Sequence, residues 1–116
     1  MSTSDLIIFN KPFGVISQFS GAEPNLSYYL SEKGFYPAGR LDKNSEGLLL
    51  LTDNGGLQNR IANPRFKLAK TYLVQVEGII TSDALTRLSN GVVLKDGQTR
   101  PAQATIETIP HNLWTR

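Results

Sequence analysis

The stretch from Ala38 to Thr52 holds the side chains best suited to chemistry. Asp42 follows Arg40 by two residues, so on an extended chain both side chains point to the same side. A carboxylate beside a cation is ionised at neutral pH and can act as a nucleophile without a partner base. Gly39, directly before Arg40, permits backbone conformations that are closed to other residues. This spacing predicts a loop that delivers one reactive carboxylate.

Two other interpretations of the same residues remain open. Glu46 lies four residues after Asp42, so the two side chains could form the pair of carboxylates that a glycosidase uses. Alternatively, Arg40 and Asp42 form a structural ion pair within a turn. Ser45 and Glu46 are expected to shape the loop, because their side chains can bond to nearby backbone groups.

Short strands and helices are predicted around this loop from the hydrophobic pattern. Leu48 to Leu51 show neither a strand nor a helix period, which is typical of a strand buried on both faces. Strands are predicted at residues 6–9, 15–19, 48–52, 71–77 and 102–107. Residues 71–77 alternate cleanly, which predicts a half-buried strand.

Helix signals lie between these predicted strands. Leu26, Tyr29 and Leu30 share one helical face that Gly34 ends, and Thr81 can cap a helix that Gly91 stops. A further helix starts in the turn at residues 53–56, carries Leu57 and Ile61 on one face, and ends before Pro64. The order of elements predicts an α+β fold with short helices and a mixed, largely antiparallel sheet.

Composition excludes several classes of protein. The chain has 116 residues, no cysteine and one histidine, which excludes a disulfide-built scaffold and a cysteine-ligated metal site. The longest apolar run is far shorter than the roughly 20 residues that span a bilayer, and the N-terminus lacks a signal-peptide pattern. We therefore expect a cytoplasmic protein with no membrane association and no bound metal.

Charge is distributed unevenly along the chain. The net charge is +2, yet residues 1–58 hold four basic and six acidic residues, and residues 59–116 hold eight basic and four acidic. The basic residues are densest between Asn54 and Val76, where no acid occurs; they are Arg60, Arg65, Lys67 and Lys70. A polyanion such as RNA would bind there by releasing counterions. A solvated basic loop is the alternative.

Four motifs, in order, resemble those of one enzyme family. The residues are Asn10–Gly14 (NKPFG), Gly39–Gly55 (GRLDKNSEGLLLLTDNG), Lys70–Gly78 (KTYLVQVEG, after Pro64), and Gly91–Gly97 with Pro101–Ala102. They are similar to the motifs of the RsuA-like family of pseudouridine synthases. Within that family, a catalytic core that starts near Leu6, together with the ending at Leu113-Trp114, resembles the large-subunit rRNA subgroup E.

The resemblance implies a partial pseudouridine synthase catalytic domain over residues 1–116, without an N-terminal S4 domain and with the C-terminal part missing. It implies isomerisation of a uridine in ribosomal RNA, without cofactor, by a monomeric enzyme. Asp42 and Tyr72 would be catalytic. The alternative interpretation of Tyr72 is a core residue on the strand face that it shares with Val74 and Val76. The implied substrate-binding residues are Arg40, Lys11, Lys70 and Arg65. A non-catalytic RNA-binding fragment of such an enzyme is the alternative function.

Overall fold

The structure is a computed structural model that describes residues 5–66, 68–110 and 112–114. Packing divides the chain into two compact units, the first running to Lys70 and the second starting at Thr71. The single catalytic domain predicted for residues 1–116 stays a prediction.

An antiparallel three-stranded sheet forms the centre of the first unit. Its strands are β1 (Leu6–Lys11), β2 (Tyr36–Pro37) and β3 (Gly47–Thr52), and their spatial order is β1-β3-β2. In the β1–β3 register, Leu6 lies opposite Thr52 and Lys11 lies opposite Gly47. The strands predicted at residues 6–9 and 48–52 are therefore confirmed, and so is the α+β class.

The central strand β3 is buried along its inner face and partly exposed along its outer face. Leu49 and Leu51 point into the core, whereas the side chain of Leu48 is 65% exposed. On the neighbouring strand, Ile8 is 71% exposed on the same outer face, whereas Thr52, at the end of β3 on this face, is buried. The prediction of a strand buried on both faces is therefore wrong at Leu48, because a strand's side chains alternate and the described residues cover the outer face only towards Thr52.

Buried apolar side chains meet beneath the inner face of this sheet. The cluster is built from the fully buried residues Val15, Leu26, Leu49 and Leu51, with Ile7, Phe9, Phe19, Leu30, Phe35 and Leu41 packed against it. Four of these positions, Val15, Phe19, Leu26 and Leu30, lie outside the strands, in the segment from Val15 to Leu30. The core therefore depends on loop residues as much as on the sheet.

Between β1 and β2 the chain departs from the predicted elements. The return strand predicted at residues 15–19 is wrong: Ile16 makes a single parallel bridge to Asn25, and the rest of the segment is irregular. The helix predicted around Leu26 is reduced to one 3-10 turn, Leu26–Tyr28, whose first turn is capped by the side chain of Asn25.

Helix α1 (Gly55–Ala62) follows β3 as predicted. The side chain of Asn54 accepts a hydrogen bond from the N–H of Leu57 at 3.0 Å and so caps the helix. Gln58 donates to the carbonyl of Pro37 at 2.9 Å, which ties the helix to β2. The helix ends before Pro64, which begins a 3-10 turn, Pro64–Phe66.

The second unit contains helix α2 (Ser82–Asn90) and a hairpin of two short strands, β4 (Val93–Leu94) and β5 (Gly97–Gln98). Thr81 caps α2 by accepting a hydrogen bond from the N–H of Ala84, and Gly91 ends it, both as predicted. The hairpin was not predicted, because each of its strands has only two residues.

Two strands predicted in the second unit are wrong. Residues 71–77 and 102–107 form no strand, and the apolar side chains of Tyr72 and Val74 are exposed. The N–H of Ala102 bonds instead to the carbonyl of Ser89 at the end of α2. Alternating side chains favour a strand only where a partner strand satisfies the backbone, and none does so here within residues 71–110.

Candidate active site

Asp42 lies at the exposed tip of the loop that joins β2 to β3. Its carbonyl accepts a hydrogen bond from the N–H of Ser45 at 3.0 Å, which closes a tight turn. Its side chain is exposed and makes no hydrogen bond or ion pair with any residue that the structure describes. The carboxylate is therefore free to contact a ligand.

The loop leaves β2 through a conformation that requires glycine. The N–H of Ala38 donates to the carbonyl of Leu50 at 2.7 Å, which attaches the start of the loop to β3. Gly39 follows with φ +90°, a value that side chains with a Cβ atom rarely adopt. The sequence prediction that Gly39 supplies backbone freedom here is in keeping with this angle.

Ser17 holds the residue immediately before Asp42. The Ser17 hydroxyl is 3% exposed; it donates to the carbonyl of Leu41 at 2.8 Å and accepts from the N–H of Leu41 at 3.1 Å. Both backbone groups of one loop residue are thereby fixed by a single side chain. Sequence reasoning missed Ser17, because a serine in a predicted strand carries no signal of a contact made 24 residues further on.

Lys11 lies beneath the same loop and is fully buried. Its ammonium donates to the carbonyls of Pro12 at 2.9 Å and Val15 at 2.7 Å. Burial lowers the pKa of Lys11 from its usual 10.5, and the attraction of Glu46 and then Asp42 acts in the opposite direction. Lys11 is therefore an internal cation that faces the loop carboxylates and not a surface lysine.

A third attachment completes the support of the loop. The N–H of Gly14 donates to the carbonyl of Lys43 at 2.7 Å, one residue after Asp42. The segment from Lys11 to Ser17 thus contacts the loop on both sides of Asp42. This contact positions the carboxylate while its oxygens stay exposed.

Arg40 is exposed beside this turn. Its guanidinium contacts the side-chain oxygen of Gln18 at 3.5 Å and forms no ion pair with Asp42, so the structural ion-pair alternative is not formed. Glu46 is half-buried, whereas Asp42 is exposed, so the two carboxylates differ in their access to a ligand. The guanidinium and the Asp42 carboxylate are both left accessible to a ligand.

The basic residues predicted to bind substrate lie further along the first unit. Arg65 belongs to the 3-10 turn after α1, and its guanidinium lies over the ring of Phe66, as does that of Arg60. Lys70 is exposed at the end of the unit. Lys67, the remaining member of the basic stretch, lies outside the described residues.

Tyr72 belongs to the second unit. Its side chain is 58% exposed in irregular backbone, so the alternative of a core position beside Val74 and Val76 is wrong. The structure thus places Lys11 close enough to Asp42 for electrostatic attraction, and Arg40 lies in the same loop as Asp42. The catalytic role of Tyr72 stays a prediction.

Comparison with known proteins decides the family. The profile of the RNA pseudouridylate synthase family matches residues 5–112. The chain belongs to this family. The family predicted from the sequence motifs is confirmed, and a solved structure described as a pseudouridylate synthase has the same fold: its TM-score is 0.81 at 27% identity, over 91% of this chain and 48% of that one.

Two curated relatives of this family member illustrate the similarity. A protein of Xanthomonas axonopodis pv. citri (strain 306) named ribosomal large subunit pseudouridine synthase E is 49% identical, over 96% of this chain and 60% of the relative. A protein of the same name from Vibrio vulnificus (strain CMCP6) is also 49% identical, over 96% of this chain and 48% of the relative. The predicted resemblance to subgroup E is thus confirmed, and the chain spans between about half and three-fifths of these proteins.

Across the described ranges, no group of three histidine, cysteine, aspartate or glutamate side chains could hold a metal ion. Of the helices that the structure describes, none has both the length and the apolar character needed to cross a bilayer.

Proposed function

We propose that this protein converts a specific uridine of ribosomal RNA, in the large subunit, to pseudouridine, with Asp42 as its catalytic carboxylate. The observation that carries the proposal is the exposed Asp42 side chain on a loop held by hydrogen bonds from Ser17 and Gly14, with the buried cation of Lys11 nearby. Family membership and the names of the two relatives support the substrate class. We expect the enzyme to act as a monomer in the cytoplasm.

The reaction exchanges one bond of the nucleoside for another. The bond from C1′ to N1 of uracil breaks, the base turns, and C1′ bonds to C5 while the proton of C5 is lost and N1 gains one. Atoms and electrons balance within the substrate, so the reaction consumes no redox cofactor. Asp42 either attacks C1′ or removes a proton from C2′, and both routes need an ionised, accessible carboxylate.

Other residues would hold the nucleotide beside Asp42. Arg40 presents an exposed guanidinium next to the turn and would contact the nucleotide in its flipped position. Tyr72 would stack on the target base or take part in the proton transfer at C5. Base–aromatic stacking contributes about 1–3 kcal/mol, which offsets the few kcal/mol that flipping costs.

The residues predicted to bind substrate differ in how exposed their charged groups are. Arg65 and Lys70 are exposed and would bind phosphate oxygens of the RNA. The ammonium of Lys11 is buried against two carbonyls, which supports a positioning role for Lys11 over direct contact with substrate.

The proposal is tested in the organism that encodes the protein. Deleting the gene is expected to remove one pseudouridine from the large-subunit rRNA, detected by carbodiimide labelling and reverse-transcription stops. Wild-type protein should restore the modification and Asp42→Asn should not. Asp53→Asn is the matched control, since this exposed aspartate lies outside the loop and its Oδ1 accepts a hydrogen bond that asparagine can also accept.

Two results would overturn the proposal. Unchanged pseudouridines after deletion would remove the assigned reaction, and restoration by Asp42→Asn would remove the assigned role of Asp42. RNA binding by the wild-type protein without any change in pseudouridine would support the non-catalytic alternative.

A further inference from the structure

Two arginine side chains share one aromatic ring at the end of α1. The guanidinium carbon of Arg60 lies 5.7 Å from the centroid of the Phe66 ring, and that of Arg65 lies 5.5 Å from it. Both distances fall within the roughly 6 Å at which a cation is attracted to an aromatic face. We call these three residues the Arg–Phe–Arg cluster.

Local hydrogen bonds hold the backbone of this cluster. Asn63 ends α1; its side-chain oxygen accepts from the N–H of Arg65 at 3.0 Å and its carbonyl accepts from the N–H of Phe66 at 3.1 Å. A bond at 3.2 Å from the Asn63 amide to Asn59 fixes the side chain that makes the first contact. Pro64 restricts the backbone between them. The turn therefore presents Arg65 and Phe66 in a set arrangement.

The hydrogen-bond donors of the two arginines remain available. The described residues form no hydrogen bond with either guanidinium, so its N–H groups are available to the oxygens of a phosphate, which they match in geometry. Neither Arg60 nor Arg65 forms an ion pair with a carboxylate in the part of the chain that the structure describes. Between Asn54 and Val76 the sequence contains no acid that could compete for them.

We propose that the Arg–Phe–Arg cluster is a phosphate clamp that binds the backbone of single-stranded RNA, with Phe66 as the residue that positions both guanidiniums. The proposal rests on the proposed function for its ligand class, because an RNA substrate supplies neighbouring phosphates. The site is separate from the loop that carries Asp42 and would hold the strand without reading its bases.

The clamp is tested by RNA binding of the 116-residue protein. The probe is a fluorescent, uridine-rich single-stranded oligoribonucleotide, titrated at several salt concentrations. Arg60→Ala and Arg65→Ala should each lower the slope of log K against log salt by roughly 0.7, the value for one phosphate contact on a single strand. Arg87→Ala is the matched control, since Arg87 is exposed and already paired with Asp83 at 3.3 Å.

Substitution of the ring separates positioning from charge. Phe66→Leu leaves every charge in place but removes both cation–π contacts, and should weaken binding by about 5- to 30-fold. Phe66→Tyr retains a ring and should bind as the wild type does. Tyr28→Leu is the control for an exposed aromatic of the first unit and should not change affinity. Circular dichroism checks that every variant is folded.

Several outcomes would overturn the clamp. These are absence of RNA binding by the wild type, an equal loss for Arg65→Ala and Arg87→Ala, wild-type affinity for Phe66→Leu, and equally tight binding of polyglutamate in competition. Failure of the clamp is distinguishable from failure of the proposed function. Unchanged salt slopes together with loss of pseudouridine in Asp42→Asn would reject the clamp alone, whereas the expected slopes without any uridine isomerisation would reject the reaction alone.

Discussion

Replacing Lys11 by methionine tests whether an internal ammonium supports the candidate active site. Methionine has a similar length and volume, so the change removes the charge and its hydrogen bonds while leaving the packing largely intact. In the wild type, Lys11 is fully buried and donates to the carbonyls of Pro12 and Val15. The variant leaves both oxygens without this donor.

The expected loss of stability follows from these two bonds. The bond to Val15 is buried, and a hydrogen bond from a charged donor contributes about 1.5–3 kcal/mol. The bond to Pro12 is only partly buried, so water can replace much of it, at a cost of about 1 kcal/mol. Removing the ammonium also removes the cost of its burial, which offsets part of the loss. We expect Lys11→Met to lower the free energy of unfolding by about 2–3 kcal/mol.

The pH dependence gives an independent check on the same side chain. Because burial lowers the pKa of Lys11, the unfolded chain binds more protons than the folded one between the lowered value and 10.5. The stability of the wild type relative to Lys11→Met should therefore rise as pH increases through that interval.

Urea unfolding followed by circular dichroism, at neutral pH and again just below pH 10.5, measures both effects. Lys43→Met is the matched control: Lys43 lies in the same loop but is exposed, and its loss should change the stability by less than about 0.5 kcal/mol. A change of that small size for Lys11→Met, or a difference from the wild type that shrinks with rising pH, would refute the reasoning.

Two further substitutions test the other supports of the loop. Ser17→Ala should reduce the free energy of unfolding by about 1–3 kcal/mol, because both backbone groups of Leu41 lose their partner. It should also lower the rate of uridine isomerisation more than it lowers RNA affinity. Ser20→Ala, at an exposed serine, is the control and should have neither effect. Gly39→Ala should lower the free energy of unfolding by about 1 kcal/mol through its positive φ alone, since a Cβ there meets no atom. Gly55→Ala, in the first turn of α1, should leave stability unchanged or raise it. Urea unfolding that ranks the two variants in the opposite order would contradict this.

Features with local causes were predictable from the sequence. The caps Asn54 and Thr81 act on residues three positions away, and β1 was marked by its apolar run. The loop around Asp42 was predicted because Gly39 and the charged residues of the loop are neighbours in sequence. Each of these signals lies within a few residues of the structure that it specifies.

The supports of the loop were not predictable in the same way. Ser17 contacts Leu41 across 24 positions, and the burial of Lys11 depends on how the whole segment from Pro12 to Val15 folds over its ammonium. Nothing in the periodicity of a short apolar segment distinguishes an irregular core segment from a strand, which is why residues 15–19 were predicted wrongly.

These distant contacts explain why two motifs that are far apart in the sequence belong to one site. Lys11 and Gly14, from the first motif, attach to the loop of the second motif through charge and through the carbonyl of Lys43. A single flexible loop could carry an exposed carboxylate, but it could not hold that carboxylate within the fraction of an ångström that catalysis requires. The first motif therefore acts by positioning Asp42, and the buried ammonium of Lys11 is part of that support.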